Sequence, residues 1–315
     1  MQLPERVYIS ECWARDGLQS QATVVPTEHK LAVLNRVTKL GYYRLEATSF
    51  ANPKYIPQFY DQMEVMRDIQ RVEGVISAGL VANKKGMEKA LKAFERGYGP
   101  DEIHIGMSVS EEHNLANMNR NHAEYKAEME AVLEMARGYN FIITAWLGTS
   151  FGCPIAGKVD INNVYNLALW FIERGVKSIS FGDTTGMANP NQVKEFYRFM
   201  LDKLPKDVTL VAHFHDTRGT GIANCVAALE MGITHFDTSL GGIGGQPANN
   251  KARYHFGTTG NVCTEDLVCV FEEMGVNTGI DVQGLLETVL LAEGILGYKL
   301  RGQVVRCGPA SSPLK

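Results

Sequence analysis

The 315-residue sequence has few cysteines, no basic excess and no long apolar run, and each shortage removes a class of protein. Six cysteines (Cys12, Cys153, Cys225, Cys263, Cys269 and Cys307) are too sparse for a disulfide framework, and no C-x-x-C pair suggests structural zinc. Free thiols are the expectation. A formal charge of −4 without a Lys/Arg block leaves no footprint for nucleic acid or an anionic membrane. No stretch approaches the roughly 18 apolar residues of a transmembrane helix. The opening MQLPERVYIS has neither the charged nor the apolar region of a secretory leader, so a cytoplasmic protein is expected. What remains, 45% apolar and 21% charged residues, suits a soluble globular chain with a large core.

Along the chain, short β-rich runs alternate with amphipathic helical stretches. The runs are VYISECW (7–13), YRLEATS (43–49), GVISAGLV (74–81), EIHIGMSV (102–109), FIITAWLG (141–148), SISFGDT (178–184), TLVAHFHD (209–216) and HFDTSLGG (235–242). Between them, Asn52-Pro53 and Asn189-Pro190 pair a helix cap with a proline at the first helical position, and Thr27, Asn83 and Asp160 are further caps. Leu31, Leu34, Val37 and Leu40 recur every three residues before Gly41, a stripe suited to covering a sheet. Strand and helix alternation implies parallel pairing with right-handed crossovers, and eight units favour a closed (β/α)₈ TIM barrel. An open dinucleotide-binding sheet is disfavoured, because ARDGLQSQ after the first run lacks the required glycine spacing. No Walker A sequence is present. Helical patterns at 264–274 and 281–296 are read as a small C-terminal cap on one domain spanning 1–300, with 301–315 as a flexible tail.

Barrel chemistry is built at the C-terminal ends of the strands. The polar residues hardest to explain structurally fall there: Arg15 and Asp16 after the first run, Glu46, Asp183, and His213 with His215. In a strand, residues two apart share a side, so both imidazoles of HFH can face one point. With Asp16 they form a candidate divalent-metal site, against the alternative of hydrogen-bonded core histidines. Beside a metal-binding aspartate, the planar fork of Arg15 suits stabilisation of an enolate oxygen. Glu46 is read as orienting metal-bound water or a histidine, and Asp183 is open between that role and proton transfer. His29, His113 and His122 are expected to be solvated on helices, His104 packed in mid-strand, and His235 at the barrel bottom.

ARDGLQ, LEATSF followed by NPK, GDTTGMANP, HFHDT, GGIGG and GNVCTEDL occur in the order and positions of the 3-hydroxy-3-methylglutaryl-CoA lyases, a family this chain resembles from Val7 to about Gly297. EATSF with GNVxTEDL resembles the lyase branch rather than the synthases making isopropylmalate or homocitrate. The resemblance implies Asp16, His213, His215 and Asn261 as ligands of Mg²⁺ or Mn²⁺, Asn261 being added by the resemblance alone. It implies Arg15 as enolate stabiliser, Glu46 as partner of metal-bound water, Asp183 as catalytic support and His213 as proton carrier. Ser110, Asn117 and the GTSFGCP segment (148–154) correspond to loops facing the acyl-CoA thioester. The implied reaction is a retro-Claisen cleavage to acetyl-CoA and a keto acid, acetoacetate if the substrate is the hydroxymethylglutaryl thioester.

The family places a cysteine between Gly-Gly and Pro in the loop after strand eight, where this chain has Gln246. The following stretch is longer than in the family and contains Lys251 and Arg253, cations suited to a carboxylate or to coenzyme phosphates. One reading keeps the family substrate. An alternative is a related lyase for another 3-hydroxy acid, of malyl- or citramalyl-CoA type, and a third is a non-catalytic CoA-binding relic. A zinc amide hydrolase also carries H-x-H, but in its first strand and with further histidines that strands five and six lack here. Homo-oligomerisation is left open.

Overall fold

The structure is a computed structural model and describes residues 3–245 and 259–311. Its eight strands are β1 (Tyr8–Glu11), β2 (Arg44–Ser49), β3 (Ile76–Leu80), β4 (Glu102–Ser108), β5 (Ile142–Gly148), β6 (Ser178–Asp183), β7 (Thr209–Phe214) and β8 (His235–Thr238). Each pairs in parallel with the next, and β8 closes on β1 with Tyr8 opposite His235 and Glu11 opposite Thr238. The (β/α)₈ barrel expected from the alternation is therefore the architecture found. β2 and β4 are buried at every residue, as parallel strands covered on one side by helices and on the other by the barrel interior must be.

Helix starts follow local chemistry where the side chain can reach back. Asn83, Asp160 and Asn189 accept from the backbone N–H of Gly86, Asn162 and Gln192, and Pro190 opens its helix. Two expected caps are otherwise employed. Thr27 is the first helical residue, behind Pro26, and its hydroxyl donates to Asp61 at 2.8 Å. Asn52-Pro53 opens a turn, with Asn52 Oδ1 accepting from Lys54 N–H, and the helix begins only at Gln62.

The strand ends position the site. β1 stops at Glu11, short of the expected run, and Trp13–Gly17 forms a wide helical turn in which Gly17 N–H reaches back five residues to the Cys12 carbonyl. That turn carries Arg15 and Asp16. β7 ends at Phe214, but the next residue, His215, bridges antiparallel to Asn261, bringing the segment after β8 back to the barrel mouth. The C-terminal helices Thr264–Glu273 and Val282–Leu296 pack in the outer ring, between helix Gly221–Glu230 and helix Thr27–Val37. The tail expectation needs correction for residues 301–311. Val304–Cys307 is helical, Val305 is buried, and the N–H groups of Gln303 and Val304 donate to Asp266.

Candidate active site

A cavity of about 390 Å³ opens at the C-terminal end of the barrel. Its polar wall includes Arg15, Asp16, Glu46, His213 and His215; Ala51, Ile56, Leu80 and Met118 contribute an apolar flank.

At one corner the hydrogen-bonding demand is unmet by protein. His213 donates through Nδ1 to Asp237 at 3.2 Å, and His215 through Nδ1 to the Thr259 carbonyl at 2.5 Å. Carboxylates and carbonyls only accept, so the Nδ1 protons are committed. The two Nε2 atoms then face one another at 3.1 Å, with Asp16 Oδ2 3.9 Å from His213 Nε2 and 3.7 Å from His215 Nε2. Only a shared proton or a cation resolves the repulsion of two lone pairs at that distance. Burial pushes His215 down to about 4, leaving it neutral; burial works the same way on His213, but the hydrogen bond and charge of Asp237 together with the charge of Asp16 outweigh it and raise that ring. Asn261 donates through its amide to Asp16 at 2.6 Å and to the Ile243 carbonyl at 3.0 Å, while its buried Oδ1 has no partner among the described residues. A spare carbonyl oxygen, a carboxylate and two imidazoles form a donor set that suits a divalent cation. Gly244 keeps this corner open: at φ +142° a Cβ would lie 2.1 Å from Asn261 Nδ2 and 3.2 Å from Asp16 Oδ2. Cys12 also lies near His213 and Asp237, where burial and the neighbouring carboxylates raise its thiol above the ordinary cysteine range, and a soft sulfur suits a hard cation less well than the oxygen and imidazole donors.

The opposite wall is densely paired. Arg15 donates through Nε to Glu46 and through Nη1 to Asp16 at 2.9 Å. Burial opposes both charges, yet Arg15 and His104 hold Glu46 well below the usual carboxylate range, and Glu46 with Asp16 keeps Arg15 protonated. Beneath them His104 bridges Glu46 at 2.5 Å and Glu102 at 2.9 Å. Arg44, fully buried, donates to Glu102 at 2.7 Å and to Asp237 at 3.1 Å. A continuous polar chain therefore crosses the barrel from Arg15 to His213.

The sequence did not single out Arg44, Glu102 or Asp237 for this chain, and it read His104 only as packed. A signal is present in the chain: Arg44 and Glu46 in β2, and Glu102 and His104 in β4, are the titratable residues of their strands and stand two apart, hence on one side. Asp183 is buried behind the cavity wall, accepting from Met187 N–H at 2.7 Å and Ala188 N–H at 3.1 Å, and burial lifts it to about 6. Asn117 lines the cavity, whereas Ser110 is buried as the cap of helix Glu111–Met118 and is not in the lining. Gln246, Lys251 and Arg253 lie outside the described residues. His113, expected on a solvated face, is instead buried, bonds Ser108 at 2.7 Å and lines the cavity, because helix Glu111–Met118 turns that face inward. His29 is exposed and His235 stacks on Tyr8 at the barrel bottom.

Comparison with known proteins gives this geometry a context. The HMGL-like family model matches residues 6–291. A hydroxymethylglutaryl-CoA lyase of Bacillus subtilis is 39% identical over 300 residues, 95% of this chain and 96% of that protein. The human mitochondrial hydroxymethylglutaryl-CoA lyase is 35% identical over 285 residues, 90% of this chain and 84% of that protein. Among solved structures, an HMG-CoA lyase from Acinetobacter baumannii in complex with coenzyme A and 3-methylmalate superposes with a TM-score of 0.91 at 36% identity, covering all of both chains. These relatives are named as hydroxymethylglutaryl-CoA lyases, and the chain belongs to the HMGL-like family.

Proposed function

We propose that the protein is a divalent-metal-dependent carbon–carbon lyase that cleaves a 3-hydroxy-3-methylglutaryl-CoA-like thioester to acetyl-CoA and a keto acid, within a single cytoplasmic domain. The observation that carries the reading is the corner where two Nε2 atoms meet beside Asp16, next to Arg15 and to Asn261, whose buried Oδ1 has no partner among the described residues. Asp16, His213, His215 and Asn261 would hold Mg²⁺ or Mn²⁺. Bound there, the cation would supply Lewis acidity toward the hydroxyl and carboxylate oxygens of the substrate.

The chain's own residues account for the rest of the retro-Claisen reaction. Because its Nδ1 is committed to Asp237, His213 Nε2 can serve either the cation or the proton, not both at once. As proton carrier it takes the hydroxyl proton, the carbon–carbon bond breaks as the alkoxide becomes the keto group, the electron pair goes to the thioester as an enolate, and return of the proton to the enolate carbon gives acetyl-CoA. Arg15, locked in charge and direction by Glu46 and Asp16, faces that developing negative oxygen. Glu46 remains ionised and acts as an acceptor beside the site, and Asp183 fixes the turn behind it. Asn117, and Gln246, Lys251 and Arg253 from the glycine-rich loop, are assigned to the thioester and its coenzyme; Ser110 positions the helix that carries Asn117.

A smaller hydroxy acid is the second reading, favoured by Gln246 in place of the family cysteine and by the 3-methylmalate held in the Acinetobacter structure. The deciding experiment incubates metal-loaded protein with a panel of 3-hydroxyacyl-CoA thioesters and identifies products by mass spectrometry. Release of acetyl-CoA, abolished by chelation, is expected. If no member of the panel yields acetyl-CoA, the lyase reading fails.

A further inference from the structure

The metal corner and Arg15 do not explain why the barrel buries a histidine between two glutamates. His104 lies in mid-β4, only 3% exposed, with Nδ1 2.5 Å from Glu46 Oε1 and Nε2 2.9 Å from Glu102 Oε1. Glu46 in turn grips Arg15, and Glu102 is anchored by Arg44 and Thr144. We propose that His104 is a positioning residue of the lyase site, a strut whose two ring nitrogens tie Glu46 to the barrel core and thereby aim Arg15. This rests on the lyase reading above.

Ionised carboxylates only accept hydrogen bonds, so a ring placed between two of them must donate from both nitrogens and be an imidazolium. The charged groups around it agree. Glu46 and Arg44 approach from β2, Glu102 from β4, Arg15 and Asp16 from the wide turn, and Asp237 from β8, where it pairs with Arg44. Burial alone would strip the ring proton, but Glu46 and Glu102 outweigh it and push His104 up to about 9, while Glu102 is drawn down to about 2. With both nitrogens engaged, the ring has no lone pair to take a proton from substrate, although it lines the cavity. Its action passes through Glu46. Without it, Glu46 keeps only Arg15 among the described residues, and the pair is held to the site by the Arg15–Asp16 bond alone. Misplacement of a catalytic group by about 1 Å can cost on the order of 100-fold in rate.

The test uses the full chain with Mn²⁺ and the thioester that the wild-type protein cleaves best. For His104→Ala, kcat is expected to fall about 100-fold, with KM and Mn²⁺ affinity by electron paramagnetic resonance changing no more than about threefold. Added imidazole should restore kcat, whereas thiazole, of similar shape but uncharged, should not. In a Glu46→Gln background, His104→Ala should have little further effect. An independent reading needs no variant: ¹⁵N NMR of histidine-labelled wild-type protein should show a slowly exchanging ring protonated on both nitrogens at about pH 7.5, above the ordinary histidine range. The proposal is overturned if His104→Ala keeps kcat, if thiazole rescues as well as imidazole, or if no such ring exists should the variant fail to fold. Absence of turnover in the wild type would instead sink the lyase reading, which separates the two failures.

Discussion

The two walls of the cavity treat buried polarity in opposite ways. At the Arg15–Glu46–His104 wall, donors and acceptors are matched side chain to side chain down to Arg44, with Glu102 Oε2 the atom left over. At the Asp16–His213–His215–Asn261 corner, two lone pairs converge and a carbonyl oxygen is stranded. A buried polar group without a partner costs roughly 1–3 kcal/mol, so a fold keeps such a corner only where something else completes it. On the proposed function, the matched wall serves as a frame and the unmatched corner as a receptor for the cation. Their shared member is Arg44, which supports Glu102 under one and Asp237 under the other.

The sharpest way to break the contrast is Asp16→Ala, which removes the carboxylate beside the two Nε2 atoms and one partner of Arg15. Loss of Mn²⁺ binding by isothermal titration is expected, together with a fall of about 1,000-fold or more in turnover, roughly 4 kcal/mol. Retention of metal affinity would show that the stranded atoms are not a receptor. Arg44→Met attacks the frame instead. It leaves Glu102 and Asp237 buried without their shared cation, so chemical denaturation should record a loss of about 3–5 kcal/mol. Because His213 retains Asp237, and Asp237 retains Ser180, Mn²⁺ affinity should change far less than in Asp16→Ala.

Arg15→Lys probes the seam between the two walls. A lysine keeps the charge but replaces the fork that spans Glu46 and Asp16 by a single ammonium. A drop in kcat of about 100-fold, near 2.7 kcal/mol, is expected, with metal affinity nearly unchanged. A parallel loss of metal affinity would mean that the corner depends on Arg15 for its shape.

How much of this could be read from the chain follows the range of the interactions. The eight strands announce themselves through local β-rich runs, and Asp16, His213 and His215 through their placement at strand ends and the two-residue spacing of H-x-H. Asn261 carries no such local mark. It reaches the site only because the segment after β8 bridges back to His215, a contact visible in three dimensions and anticipated only through family resemblance. Arg44, Glu102 and Asp237 escape the strand-end rule, which points to the mouth of the barrel while the frame sits lower. His113 shows the same limit on a helix: one helix face looks solvated until the cavity wall it packs against is known.

A smaller effect comes from a matched group away from the cavity, Glu11, which ties together the turn bearing Asp16 and the segment after β8. Its Oε1 accepts from Trp13 and Leu240 N–H, and its Oε2 from Tyr42 and Thr264 hydroxyls. Burial outweighs those four donors and raises Glu11 to about 8. The folded state therefore holds a proton that the unfolded chain has released above about pH 4.5, and the stabilisation linked to it falls by up to about 1.4 kcal/mol per pH unit until pH passes about 8. In Glu11→Gln the amide oxygen can take the two N–H groups and the amide nitrogen can donate to the two hydroxyls, mimicking the protonated acid without a titration. Denaturant midpoints measured from about pH 6 to 9 should decline less steeply in the variant than in the wild type. Parallel slopes would show that the four donors hold Glu11 ionised, making it one more charged strut beside the site.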